Sequence, residues 1–246
     1  MSNYDTKTIA IAAGVAAVVS AISYAVLRKP SDSKLVVKSN IIKRIALTGG
    51  PCGGKSSSLK HFTKELEARG IDVYAVPEIP TIMISGGCQY PGTEEKKLDE
   101  LYEFETALLN LQVQIEDSFT RVAVSTGRPS VIVMDRGLLD VPAYLPAHLW
   151  QGILTKNGWT EAGFAARYDM VLHLVTAADG AEAFYTTSNN AARTETAEQA
   201  RVLDKKMQGC WRAHKSLKVV KNEEAGFKAK LETASGFVHE LTKDLV

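Results

Sequence analysis

Gly49-Gly50-Pro51-Cys52-Gly53-Gly54-Lys55-Ser56-Ser57 separates an apolar run, Ile45-Ala46-Leu47-Thr48, from the helical spacing Ser57, Leu59, Phe62, Leu66. A strand, a glycine-rich turn and a helix form the context that the phosphate-binding pattern G-x-x-x-x-G-K-[ST] requires. Glycine admits positive φ and lets backbone N–H groups crowd around a phosphate. The positive end of the following helix adds to that field. Within this pattern Lys55 is expected to reach the β- and γ-phosphates and Ser56 to offer its hydroxyl to Mg²⁺. The whole stretch Gly49 to Ser57 is the expected nucleotide contact.

The 246 residues are 45% hydrophobic and 23% charged, with a formal charge of +1. Near-neutral charge gives no electrostatic case for nucleic acid as a partner. Cys52, Cys88 and Cys210 are widely spaced and odd in number, so they outline neither a disulfide framework nor a metal site. A reducing compartment is the simplest consequence.

Thr8 to Leu27 carries no charged residue, and a helix of that length matches the hydrocarbon core of a bilayer. Arg28, Lys29, Lys34 and Lys38 follow it, whereas Lys7 alone precedes it, beside Asp5. The positive-inside bias then puts everything beyond Leu27 on the cytosolic side. The expected organisation is a tail over 1–7, a single transmembrane anchor over 8–28, a linker over 29–40 and a phosphate-loop domain over 41–246. An organelle-targeting segment is the competing reading of the apolar stretch. The basic cluster adds a possible attraction for anionic phospholipid, although such flanks more often only fix topology.

From Ile41 onward short apolar runs alternate with longer helical patterns, which predicts a mostly parallel sheet covered by helices on both faces. Strands are expected at Arg44–Thr48, Ile71–Val76, Val131–Asp135, Met170–Thr176 and Leu217–Lys221. A long helical pattern covers Glu94 to Ser125 and exceeds the usual globular length, so a break or kink is expected within it. Gly226 to Leu245 reads as the closing helix.

Open α/β sheets bind ligands at the carboxyl ends of their strands, and two candidate clusters fall there. Val76-Pro77-Glu78 places a carboxylate where it could take a proton from a substrate hydroxyl. Val131 to Met134 followed by Asp135-Arg136-Gly137 has the form of a strand whose terminal carboxylate holds Mg²⁺. Arg136 is then available to clamp a phosphate through two N–H groups or to pair with an acid. Asn189 to Gln199 fits a lid, with Arg193 either folding over the γ-phosphate or balancing Glu195 and Glu198. Gln112 and Gln114 lie on the long helix, where an amide could read a base. Asn222, after the last strand, is a candidate purine contact. Trp211 and Tyr144 read as packing residues and His173 as an interior histidine.

Thr48-Gly49-Gly50-Pro51-Cys52, Val76-Pro77-Glu78, Asp135-Arg136-Gly137 and Ala192-Arg193-Thr194-Glu195-Thr196 together resemble one family of AAA-type phosphate-loop domains. It joins the nicotinamide riboside kinase domain of the bacterial regulator NadR to the fly TRPL-channel translocation-defect protein. The resemblance extends from about Ile41 to the C-terminus. It implies an α/β/α sandwich on a five-stranded sheet in the order 2-3-1-4-5, as in nucleoside and nucleotide kinases. It also implies Glu78 as the catalytic base and Asp135 and Arg136 as the Mg²⁺ and phosphate residues. In deoxynucleoside kinases the latter motif reads Glu-Arg-Ser, so Asp and Gly here are departures.

Two functions follow as expectations. One is a membrane-anchored phosphotransferase using ATP or GTP with Mg²⁺ and relying on Lys55, Glu78, Asp135, Arg136 and Arg193. The other is a nucleotide-dependent switch or trafficking module, with phospholipid binding and slow turnover, like the fly relative.

Overall fold

The apolar runs and glycine punctuation produce an alternation of strands and helices in a computed structural model that describes residues 42–185 and 196–245. β1 (Ile42–Thr48) leads through the glycine-rich turn into α1 (Lys55–Ala68), and β2 (Asp72–Val76) into the short α2 (Ile79–Ser85). A 3₁₀ turn at Glu95–Lys97 opens onto α3 (Leu98–Thr126), which is followed by β3 (Ser130–Asp135). A second 3₁₀ segment, Leu138–Tyr144, precedes α4 (Ala147–Asn157), α5 (Glu161–Ala165) and β4 (Met170–Leu174). The chain closes with α6 (Ala197–Cys210), β5 (Leu217–Val220) and α7 (Phe227–Thr242).

All four strand pairings are parallel, and the order is β2-β3-β1-β4-β5, the order that the family resemblance implied. The strands read as nearly continuous apolar runs because both faces are covered. Their alternate residues feed two cores. Ala46, Ile132, Met134 and Val171 join Leu101, Leu109, Ile153 and Trp211 on one face. Ile45, Leu47, Val133 and Leu172 join Phe62, Leu66 and Val238 on the other. Helices α3 and α4 therefore cover one side of the sheet and α1 and α7 the other.

Of the expected long helical pattern, Glu95–Lys97 forms a 3₁₀ turn and α3 then runs for 29 residues as one helix. Its buried stripe of Leu101, Leu108, Leu109, Gln112, Glu116 and Ala123 supplies tertiary contacts along the whole length. It stops at Gly127, whose φ of 64° is the left-handed cap that glycine supplies. The strands β4 and β5 each end earlier than expected, because Thr176 and Lys221 already belong to loops. The expected anchor and linker over 8–40 lie outside the described residues. Among the described residues no helix is long and apolar enough to cross a membrane.

Candidate functional site

The turn after β1 closes against the end of β4. A Cβ on Gly49 would collide with the Leu174 carbonyl oxygen, and one on Gly53 would stand 2.5 Å from the same atom. Gly49 also has a φ of 129°, so both space and backbone require glycine there. Gly54 caps α1 without any side chain to satisfy the first-turn N–H groups. Those donors, together with the positive end of the helix, are left for an anion. Ser56 and Ser57 are exposed on that first turn.

Lys55 turns back over its own loop, its Nζ donating to the carbonyl oxygens of Gly49 at 2.9 Å and Gly50 at 3.3 Å. Burial, reinforced by the nearby Arg136 charge, lowers its pKa to about 8 against the pull of Asp135, Glu78 and Asp140. A partly desolvated ammonium held over a ring of amides suits a polyphosphate.

Asp135 ends β3 beside Leu47 of β1, so its carboxylate stands next to the loop. Its Oδ1 is buried and without a hydrogen-bond partner. Burial raises its pKa, partly offset by Lys55. An orphaned acceptor beside a phosphate cradle fits a hard cation with oxygen ligands, and with Ser56 it could supply the protein's share of a Mg²⁺ site. Among the described residues no cluster of three acids, histidines or cysteines is arranged to hold a metal.

Arg136 has a φ of 80°, an uncommon conformation for a side chain of that size. Two backbone bonds hold it: its N–H donates to the Leu47 carbonyl at 3.0 Å, and its carbonyl accepts from Gln112 Nε2 at 3.1 Å. The guanidinium Nε donates to Glu78 Oε1 at 2.5 Å, Nη1 lies 3.8 Å from Asp140 Oδ2, and Tyr144 presents its ring 6.0 Å away. Burial opposes the charge, but Tyr144, Glu78 and Asp140 hold its pKa well above the ordinary value. Glu78 caps α2 and also accepts from Thr81 Oγ1 at 2.6 Å. Burial would raise its pKa, yet the charge and hydrogen bonds of Arg136 and the Thr81 hydroxyl bring it below the usual carboxylate range. Lys55, Glu78, Asp135 and Arg136 therefore stand within electrostatic reach of one another at the carboxyl ends of β1, β2 and β3.

Several residues needed the tertiary fold to be recognised. Asp140, 2% exposed, accepts from Thr48 Oγ1 at 2.5 Å and Trp211 Nε1 at 2.6 Å, and so braces Arg136 from behind. Asp204 of α6 accepts from the Gly50 N–H at 2.7 Å and the Thr176 N–H at 3.0 Å, while its other oxygen meets His173 Nε2 at 3.1 Å. It straps the phosphate loop to α6. The signal available for it was the i, i+4, i+7 spacing of Ala200, Asp204 and Met207, which puts an acid on the buried stripe.

Most of the other candidates are spent on bonds within the fold. Gln112 is spent on Arg136 and Glu116, and Gln114 is exposed. The Asn222 amide donates to the carbonyls of Thr176 and Asp179 and accepts from Lys230, so it shapes the loop after β4. His214 binds the Tyr168 carbonyl and the Ser216 N–H. His173 is fully buried, as expected of an interior histidine. Arg193 lies outside the described residues, so its two readings stay open.

Trp211 explains why Gly137 follows Arg136. Its ring fills the place of a side chain: a Cβ on Gly137 would stand 2.5 Å from the indole and 2.9 Å from Ala46 Cβ. The φ of Gly137, −112°, suits any residue, so space alone decides. Gly137→Ala is expected to destabilise the domain by about 1–3 kcal/mol through overpacking, measured by denaturant unfolding. An unchanged midpoint would show that the indole moves aside freely.

The sequence model of a family described as an AAA domain matches residues 44–226, nearly all of the sheet and its helices. Among curated proteins, none matches the chain.

Proposed function

The chain belongs to the AAA-domain family, and on that premise we propose that it binds a purine nucleoside triphosphate, ATP or GTP, with Mg²⁺ and transfers the γ-phosphate to a hydroxyl acceptor. The observation that carries this reading is the meeting of Lys55 and the partnerless Asp135 Oδ1 at the ends of two adjacent strands. In the proposed reaction the loop amides and Lys55 hold the β- and γ-phosphates, so charge developing on the transferred group meets fixed donors. Mg²⁺, held by Ser56 and Asp135, supplies neutralisation of phosphate charge. Glu78, ionised at neutral pH, accepts the acceptor's proton. Arg136 orients Glu78 and is available to the transferred phosphate.

A second reading, a switch with slow turnover, is favoured by one observation. Both Glu78 oxygens already accept a hydrogen bond, from Arg136 and from Thr81, and bonds that stabilise the carboxylate make it a weaker base. The N-terminal segment supports placing either activity on a membrane: residues 8–28 as the anchor, 29–40 as the linker and the domain from 41 onward facing the cytosol, with anionic phospholipid as a candidate contact.

The test supplies γ-labelled ATP or GTP with Mg²⁺ and offers nicotinamide riboside, nucleosides, nucleotides and phosphatidate vesicles as acceptors. Labelled product that depends on acceptor and on Glu78 supports transfer. Tight binding with negligible turnover in both wild type and Glu78→Gln supports the switch.

A further inference from the structure

Helix α3 carries three buried polar side chains on one face: Glu105, Gln112 and Glu116. Two are fully occupied. Gln112 binds the Arg136 carbonyl, and Glu116 accepts from Arg167, Tyr168 and Gln112. Glu105 is 4% exposed, yet among the described residues no hydrogen bond or ion pair reaches it. The hydroxyls of Tyr102 and Thr106, three positions before it and one after, are buried without partners. Polar atoms left unpaired in an interior are costly and call for a reason.

Their position supplies one. Because α3 leads into β3, the helix runs opposite to the strand, and its N-terminal end points beyond the sheet's carboxyl edge. Gln112 marks the level of that edge by its bond to Arg136. Glu105 lies seven residues, or about 10 Å, nearer the helix N-terminus on the same face. It is therefore above the strand ends, where open α/β sheets receive ligands.

Above that edge α2, which begins at Glu78, packs its Ile79 and Met83 into the cluster that contains Leu101 and Leu108. The loop that follows lays the Tyr90 ring edge-on to Phe104 at 5.6 Å. Burial, with the charge of Glu105 adding to it, pushes the Tyr90 phenol up to about 12. Burial raises Glu105 itself to about 7, so the free protein holds it close to half-ionised at neutral pH.

We propose that Glu105 recognises the phosphoryl acceptor: a nucleoside-sized molecule whose hydroxyl lies at the Glu78–Arg136 pair and whose far end offers an amino N–H₂ to the Glu105 carboxylate. Against the ionised carboxylate, an end bearing only carbonyl or carboxylate oxygens would set lone pairs against lone pairs. The aromatic wall of Tyr90 suits a planar ring. The assignment rests on the phosphotransfer reading for what happens at the hydroxyl end, but the amino end can be tested alone.

Binding of adenosine and cytidine, and of N6,N6-dimethyladenosine and N4,N4-dimethylcytidine, is measured calorimetrically with Mg²⁺ and a non-hydrolysable triphosphate present. Transfer from labelled triphosphate is followed in parallel. Wild type is expected to prefer an amino form over its dimethyl counterpart by on the order of 10- to 100-fold, the worth of hydrogen bonds to a charged group. Glu105→Met, which keeps the length and removes both acceptor oxygens, is expected to bring that ratio near unity. A merely structural Glu105 would shift the melting temperature and leave the ratio alone, which would overturn the proposal. So would a wild-type protein that binds neither adenosine nor cytidine. Amino-selective binding that depends on Glu105 but gives no transfer would remove the phosphotransfer reading and leave this one standing. Transfer to adenosine or cytidine indifferent to Glu105 and to amine methylation would do the reverse.

Discussion

Lys55→Ala lowers triphosphate affinity by about two orders of magnitude or more, the usual cost of removing one partner from a desolvated charge pair. The ammonium is held over the loop by the Gly49 and Gly50 carbonyls, at the proposed γ-phosphate site. Its pKa, lowered to about 8 by burial and Arg136, adds a signature. A bound polyphosphate favours the charged form, so above pH 8 binding takes up a proton, and wild-type affinity falls as pH rises through that value. Alanine abolishes this dependence. The substitution does not threaten the fold, because a lysine whose pKa is depressed on folding withholds stability below about pH 8 and restores it only as pH rises toward the unfolded value. Fluorescent-nucleotide titrations from pH 6.5 to 9.5 measure both effects. Equal affinity in wild type and Lys55→Ala would place the triphosphate elsewhere.

Glu78→Gln reduces acceptor-dependent turnover by about 10²- to 10⁴-fold, the range for loss of a positioned general base. The change is nearly isosteric, and Thr81 Oγ1 at 2.6 Å can still donate to an amide oxygen. What disappears is the charge that pairs with Arg136 and accepts the proton. Arg136 then has Asp140, with an oxygen at 3.8 Å, as its nearest carboxylate in the site. Triphosphate affinity is expected to change far less than turnover, because the loop amides and Lys55 make the principal phosphate contacts. Single-turnover measurements with labelled triphosphate separate the two quantities. Turnover that survives in Glu78→Gln would show that the proton leaves by another route.

The phosphate loop, the strand carboxylates Glu78 and Asp135, and the α/β alternation were legible in order along the chain because each is local. A loop that must admit positive φ needs glycine, and a strand buried on both faces needs an unbroken apolar run. The order of the strands came through family resemblance rather than periodicity, because five similar apolar runs do not say which lies beside which.

The tertiary structure alone decided the supports. Asp140 and Trp211 lie 71 residues apart and meet at 2.6 Å, and Asp204 reaches the Gly50 N–H across 154 residues. Nothing in a linear pattern announces such pairs, because a hydrogen bond depends on distance in space and not along the chain. The persistence of α3 over 29 residues is tertiary too: its stability comes from the sheet it covers, which no local propensity records. The Gly137 departure from the kinase motif became intelligible only once Trp211 was seen filling the missing side chain's volume. Residue types and their spacing determined what chemistry the loop is suited to, because that chemistry depends on backbone conformation and charge close by in the chain. Folding determined which other groups surround it, because burial and approach exist only once the sheet has assembled.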